Sequence, residues 1–237
     1  MAQMTKPRFL ALIPARGGSK ELPKKNIINA AGKPLIAWSI EAALHSRFVT
    51  RVFVSSDDIE ILELSKAHGA ETIQRPHELA LDSTPSEPVI LHTINWIEAK
   101  GEQYNYLILL QPTSPARSAD DIDQAVRKLI DNDASSLISV YEPNHSPLKA
   151  LKLNEKGSLV GITDDYAQFT RRQEIPKTYM PNGAIYIVNI TEFKKHNSLL
   201  TDNCIPFIMP IEKSIDIDSP QDLLDFAKLI EMHREKT

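Results

Sequence analysis

The chain has a single cysteine, Cys204, in 237 residues. That excludes an internal disulfide and any metal site built from several thiolates, and it points to a reducing, cytoplasmic setting. No apolar run approaches the roughly 18 residues that a membrane-spanning helix needs. The opening stretch MAQMTKPRF carries no apolar core of the secretory kind ahead of the first strand-like segment. Neither sign of charge dominates, since 27 Lys and Arg stand against 31 Asp and Glu for a net of −4. No overall field therefore draws the protein to nucleic acid or to an anionic membrane, and any polyanion must be met by a local cluster. Internal repeats and low-complexity tracts are also lacking.

What is present is a hydrophobic content of 42% beside 24% charged residues, in a chain long enough to bury a large core as one domain, 1–237. Short apolar runs alternate with amphipathic stretches through the first two-thirds, the pattern of strand and helix units laid into a mostly parallel open α/β sheet with helices on both faces. FLALIP (9–14), RVFVSS (51–56), ETIQRP (71–76), YNYLILLQP (104–112) and SSLISVYEP (135–143) read as strands. Helices are expected over 34–46, after Asp57 or Asp58 as cap, over 86–100, and over 118–132 with Ser118 and Asp121 as a loose capping box. From about Asn144 the rhythm changes. HSPLKALKLNEKGSLVGI reads as two short strands about a turn at 155–157, and the polar stretch 163–183 as a long functional loop. Together 144–182 form an excursion from the sheet. AIYIVNI and IPFIMP then return as strands, and a last helix starts at Pro220 with Ser219 as cap.

The densest chemistry lies in LIPARGGSKELPKKN, residues 12–26. It is neither G-x-G-x-x-G nor G-x-x-x-x-G-K-[ST], and Pro23 sits where either motif would be helical. It is therefore expected to be a long loop at the carboxyl end of the first strand, where open α/β sheets bind ligands. Gly17, Gly18 and Ser19 are candidates to offer backbone N–H groups to phosphate, with Arg16, Lys20 and Lys25 supplying charge.

With LLQPTSPAR (109–117), MPNGAIYI (180–187) and SIDID (214–218), this loop closely resembles the motifs of the cytidylyltransferases that activate nine-carbon 2-keto sugar acids, the CMP-sialic acid synthetase family. The match in order and spacing runs from about Arg8 to Lys228. The resemblance implies a nucleotide-diphospho-sugar-transferase-like fold and transfer of CMP from CTP to the anomeric hydroxyl of an N-acylneuraminate or legionaminate type acid, with release of pyrophosphate. It implies Arg16, Lys20 and Lys25 on the triphosphate, with Lys25 and Arg16 catalytic, Asn26 on the nucleotide, and Arg75 and Ser83 at cytosine and ribose. It further implies Gln111, Lys149, Arg172, Asn182 and Tyr186 facing the sugar, Leu199 and Leu200 as an acyl-facing pair, Asp216 and Asp218 as Mg²⁺ ligands, and a homodimer joined through the hairpin. Synthetases for the eight-carbon acid KDO carry an acidic residue after the central strand, where this chain has Gln111. Met180 stands where sialic-acid-specific members often have arginine, and a soft apolar side chain suits acyl or deoxy groups better.

The residues themselves support these roles. Asp216 and Asp218 alternate on what reads as a strand end, so their carboxylates project to one side and can share one Mg²⁺; the other reading of Asp218 is a cap for the final helix. Gln111 can both donate to and accept from sugar hydroxyls, and Lys149 with Arg172 can meet a carboxylate. No histidine falls in the motifs, so a metal-bound route is expected for the sugar's proton. The rival readings are transfer to another acid, pseudaminate or KDO, and a binding module without turnover.

Overall fold

The computed structural model describes residues 6–19, 21–163 and 167–234. Eleven strands occur in chain order with six α-helices: β1 (Phe9–Pro14), β2 (Asn29–Ala30), β3 (Lys33–Pro34), α1 (Leu35–Leu44), β4 (Val49–Ser56), α2 (Ile59–Ala67), β5 (Glu71–Gln74), α3 (Ser86–Glu98), β6 (Tyr106–Leu109), α4 (Ala119–Asp131), β7 (Ser136–Tyr141), β8 (Leu151–Leu153), β9 (Leu159–Gly161), β10 (Met180–Asn189), α5 (Ile190–His196), β11 (Cys204–Ile208) and α6 (Pro220–Arg234). Seven strands make the main sheet in the order β11-β7-β10-β6-β1-β4-β5. All its pairings are parallel except those of β10, which runs antiparallel to both β6 and β7. This is the mostly parallel α/β sheet expected from the alternation of strand and helix segments.

The alternation of β1 shows why helices must cover both faces. Phe9, Ala11 and Ile13 enter one core with Ile36 and Ile40 of α1, Ile61 of α2 and Ile122 and Leu129 of α4. Leu10 and Leu12 enter the other with Ile90 and Ile94 of α3 and Phe193 of α5. A strand buried on both sides carries no polar residue in either register. A third cluster joins the first loop to the end of the chain, with Leu22, Ala30 and Leu35 packed against Ile217 and Phe226.

The local signals read in the sequence operate as the chemistry requires. Asp58 caps α2 by accepting from the Glu60 and Ile61 N–H groups, and Ser118 with Asp121 forms a complete capping box on α4. The 144–182 excursion contains the antiparallel β8/β9 hairpin, closed by Asn154, whose Oδ1 accepts from the N–H groups of Lys156 and Ser158. Three expectations are corrected. Residues 214–218 form no strand; among the bonds that hold the segment are Ile217 N–H to the Thr113 carbonyl, 2.7 Å, and Asn182 Nδ2 to Ser214 Oγ. β10 begins at Met180, four residues earlier than the apolar run AIYIVNI suggests, and it ends at Asn189, with Ile190, read as the end of that strand, opening the helix α5. Residues 164–166 of the polar loop lie outside the described residues. Among the described residues, no helix is long and apolar enough to cross a membrane.

Candidate active site

β1 stands where the chain's connections diverge, with β4 on one side and β6 on the other. The carboxyl ends of such strands frame the ligand crevice of open α/β sheets. A cleft lies here, lined by Arg16, Gly18, Ser19, Lys25, Asn26, Arg75, Thr84, Ser86, Gln111 and Thr113 among others. Residues distant in sequence are thus brought to one place, and seven of them are among those singled out in the sequence.

The first loop is a built structure. Leu22 is buried, Lys24 takes the left-handed conformation (φ 55°), and Lys25–Ile27 form a single 3₁₀ turn. Asn26 is 7% exposed, and its Nδ2 donates to the Arg16 carbonyl at 2.8 Å, so it shapes the loop from beneath. Gly17 departs from the expected role as a phosphate donor. Its N–H is spent on Asp57 Oδ1 (3.1 Å), and a Cβ on it would stand 2.6 Å from Asp58 Oδ2. Its glycine identity serves the close approach of the loop to the start of α2, leaving Gly18 and Ser19 to face the cleft. Lys20 lies outside the described residues.

The cations are held in place by acids. Arg16 Nη1 pairs with Asp82 Oδ1 at 2.5 Å and Lys25 Nζ with Asp218 Oδ1 at 2.6 Å. Arg75 is 6% exposed and has a looser ionic partner, Asp57, at 3.8 Å. Burial pushes its guanidinium below its ordinary pKa; Asp57 opposes this, and the charge of Arg16 adds to it. A buried cation so weakly compensated is a good receptor for an anion or a polar carbonyl. Ser83 is exposed, between Asp82 and the cleft residue Thr84.

At the other end of the cleft, Gln111 follows β6, and its N–H donates to the Gly183 carbonyl. Gly183 (φ 72°) lies so close that a Cβ there would stand 2.3 Å from Gln111 Oε1. Asn182 does not face the cleft. It is buried, its Oδ1 accepts from Ser139 Oγ (2.6 Å) and the Ala184 N–H, and its Nδ2 donates to Ser214 Oγ (2.9 Å). The cause is a bulge: β10 pairs with β7 at Pro181 and again at Tyr186, and Ser139 fills the gap by also accepting from the Ile185 N–H. Asn182 is therefore spent on locking the strand that carries Gly183 and Tyr186.

Tyr186 lies near Asp216; burial, then that acid, raise the phenol above its usual value. Asp216 is in turn raised by burial and by Asp218 and Asp222, while a bond from Thr113 and the charge of Lys25 oppose the rise. Asp218 is not the helix cap. Asp222 accepts from the N–H groups of Asp218 and Ser219 and from Ser219 Oγ, which leaves the Asp218 carboxylate for Lys25. Ile217, fully buried between the two acids, keeps them on the same side without a strand.

The remaining candidates lie elsewhere. Lys149 is exposed at the base of the hairpin, and Arg172 is exposed beside a small hollow lined by Glu142, Ser146 and Lys177. Leu199 packs against the α3/α5 core, away from the cleft, and Leu200 is 67% exposed. Two important residues escaped the sequence reading. Asp57, considered only as a cap, ties the first loop to Arg75. Arg117 is 3% exposed and its guanidinium donates to the carbonyls of Ala184 and Gln111 and to Ser39 Oγ, fastening β6 and β10 together. Burial brings its pKa down to about 9. An arginine closing the motif QPTSPAR was the available signal.

The cytidylyltransferase family profile matches residues 10–232. The pseudaminic acid cytidylyltransferase of Campylobacter jejuni (serotype O:2) is 35% identical over 93% of this chain and 95% of its own length. The CMP-N,N'-diacetyllegionaminic acid synthase of Legionella pneumophila is 34% identical over 96% and 98%. The N-acylneuraminate cytidylyltransferase of Escherichia coli is 32% identical over 97% of this chain, which spans about half (53%) of that protein. Among solved structures, a CMP:2-keto-3-deoxy-manno-octonic acid synthetase complexed with CTP superposes with a TM-score of 0.70 at 18% identity, covering 95% of this chain and 99% of that one, a likeness of fold. The chain belongs to the CMP-sialic acid synthetase family of nonulosonate cytidylyltransferases. It is thus a nucleotidyltransferase, a cytidylyltransferase for sugar acids.

Proposed function

We propose that the chain transfers CMP from CTP to the anomeric hydroxyl of a nine-carbon 2-keto sugar acid of the nonulosonate class. The observation that carries this reading is the single cleft that gathers Arg16, Ser19, Lys25, Arg75 and Gln111, with Asp218 bonded to Lys25 at its edge. The anomeric hydroxyl gives its proton to water as its oxygen forms a bond to the α-phosphorus, the bond from that phosphorus to the α,β-bridging oxygen breaks, and pyrophosphate leaves with Arg16 and the loop N–H groups of Gly18 and Ser19 around it. Lys25 stabilises the charge that builds on the phosphate oxygens in the transition state. Arg75 takes the base end, and Gln111 with Tyr186 the sugar.

Asp216 and Asp218 suit Mg²⁺. They are hard oxygen donors, and Asp218 and Asp222 add to the burial that raises Asp216, a field a cation would relieve. Among the described residues no group of three or more His, Cys, Asp or Glu side chains could hold a metal ion; with two protein ligands, the rest of a Mg²⁺ shell would be substrate phosphate oxygens and water. When bound, the ion would neutralise phosphate charge and lower the pKa of an oxygen bound to it.

The excursion supports a homodimer. Leu153 and Leu159, paired across the hairpin, and Phe169 are 68%, 66% and 82% exposed on it, large apolar side chains that a partner subunit would cover. A partner subunit docked there would bring Lys149 and Arg172 to a sugar carboxylate. Among acids, Met180, 38% exposed at the head of β10, favours a deoxy, diacylamido sugar of the legionaminate or pseudaminate kind over N-acetylneuraminate. The test is Mg²⁺-dependent pyrophosphate release from CTP with N-acetylneuraminate, legionaminate, pseudaminate and KDO in parallel. Release with a nonulosonate is expected; release with none of the four, or with KDO alone, overturns the proposal.

A further inference from the structure

Residues 182–185 of β10 are buried and have no register partner in β6 or β7. Their backbone groups must be paired in some other way. The segment that follows β6 supplies the donors for three consecutive carbonyls. Ser114 Oγ donates to the Asn182 carbonyl (2.9 Å), the Gln111 N–H to the Gly183 carbonyl (3.3 Å) and Arg117 Nε to the Ala184 carbonyl (2.6 Å). Arg117 also holds the segment itself. Its Nη2 donates to the Gln111 carbonyl, which accepts from the Ser114 N–H as well, and its Nη1 donates to Ser39 Oγ on α1 (2.7 Å).

We propose that Arg117 is a positioning residue for the sugar end of the cleft: its guanidinium sets β10 against the Gln111 backbone and, with Ser114 beside it, fixes where the Gln111 side chain stands over Gly183. The inference rests on the reading of Gln111 and Tyr186 as the sugar end. The fit there is close, since a Cβ on Gly183 would strike both Gln111 Oε1 and Ser114 Oγ. A small shift of β10 therefore moves the amide. A guanidinium is a costly way to fill this space for packing alone. Arg117 is 3% exposed, and Asp121, the acid whose charge acts on it, is bonded to Lys213 and Ser118 instead. What the guanidinium supplies is one planar edge, Nε with Nη2, whose two donors meet carbonyls on the two sides of the clasp. None of its three bonds goes to the first loop or to Arg75, so its effect is directed to one end of the cleft.

The test compares the wild type with Arg117→Lys, Ser114→Ala and Ser39→Ala. Three quantities are read: the CTP dissociation constant by calorimetry without sugar acid, the sugar-acid KM and kcat from pyrophosphate release at saturating CTP, and the Tm. Lysine keeps the charge but loses the two-donor edge, so it is expected to raise the sugar-acid KM about tenfold with the CTP dissociation constant within about twofold of the wild type's. Ser114→Ala is expected to act in the same direction, about threefold. Ser39→Ala removes the one bond of Arg117 that reaches neither β10 nor Gln111, and is expected to lower the Tm with both constants held within about twofold. A group that only stabilises the fold would move the two constants together, or neither. A wild-type sugar-acid KM in Arg117→Lys, an equal loss at CTP, or a rise in KM in Ser39→Ala as large as that in Arg117→Lys overturns the role of Arg117. Should Arg117→Lys fail to fold, Ser114→Ala carries the same comparison, and a wild-type KM in it overturns the clasp. A wild type that binds CTP but releases pyrophosphate with no nonulosonate overturns the reading of the sugar end instead.

Discussion

The two ends of the cleft are built differently. At the nucleotide end, Asn26 and Arg75 are 7% and 6% exposed, the first loop is tied to Asp57 and Asp218, and every anchoring group comes from within one chain. At the end proposed for the sugar, Gln111 lines the cleft and Tyr186 lies near Asp216, but Lys149 and Arg172 stand exposed on the excursion, which also carries the exposed apolar side chains Leu153, Leu159 and Phe169. Under the proposed function, the nucleotide is met by a buried frame that draws on both ends of the sequence. Under the same proposal, the sugar is met in part by residues on a segment whose length and contacts can change without disturbing the sheet.

The largest effect expected from dividing these ends is in Lys25→Ala. Loss of one preorganised donor should lower kcat about 10²–10³-fold in a pyrophosphate-release assay, as for other oxyanion donors; an unchanged kcat would remove Lys25 from the chemistry. Gly183→Ala tests the sugar end alone. Its Cβ would strike Gln111 Oε1 and its φ of 72° disfavours alanine, so kcat/KM for the sugar acid should fall about 10–100-fold while the CTP dissociation constant holds. The paired change Leu153→Asp and Phe169→Asp should convert a dimer to a monomer by light scattering and raise the sugar-acid KM about tenfold, with CTP binding intact. A wild type that is monomeric at micromolar concentration would break the contrast at its root.

The smallest effect lies away from both ends. Burial pushes the Asp123 carboxyl up, but donors from Ser46 Oγ and from the side chain and N–H of Arg47 outweigh it and hold the pKa below its ordinary value. A depressed carboxyl stabilises above its unfolded pKa and loses that contribution as pH falls through its folded one, so this contribution fades below about pH 4. Asp123→Asn should cost about 1–3 kcal/mol in urea unfolding at pH 7 and progressively less as the pH falls below about 4, with kcat unaffected.

Much of the frame was legible because it is local. The two-sided burial of β1, the capping box of Ser118 and the cap at Asp58 follow from side chains within a few residues of each other. The clustering of Arg16, Arg75 and Gln111 was also legible, since each lies just beyond a strand's carboxyl end, while the place of Lys25, eleven residues past β1, was implied by the family resemblance. Long-range hydrogen bonding was harder to read. Pro181 and Gly183 argue against a strand, yet β10 runs through them because the Ser139 hydroxyl closes the gap. For the same reason Asn182, which looks like a ligand in the motif, is consumed by Ser139 and Ser214. α5 was missed because its cap, Asn189, is also the last residue of the preceding strand, leaving no break in the apolar pattern. Asp216 and Asp218 alternate as expected, but the alternation comes from buried Ile217 and one bond to Thr113 rather than from a sheet.

Lys25 and Asp218 are 193 positions apart, and the same distant part of the chain supplies Ile217 and Phe226 to the packing beneath the first loop. This sets an order on the ribosome. The sheet strands around β1 can assemble while the last quarter is still being made, but the loop has no floor until α6 has emerged. A nascent chain is therefore barred from closing on nucleotide before its synthesis nears completion, and a translation product truncated before residue 214 would carry a finished sheet with an unseated loop.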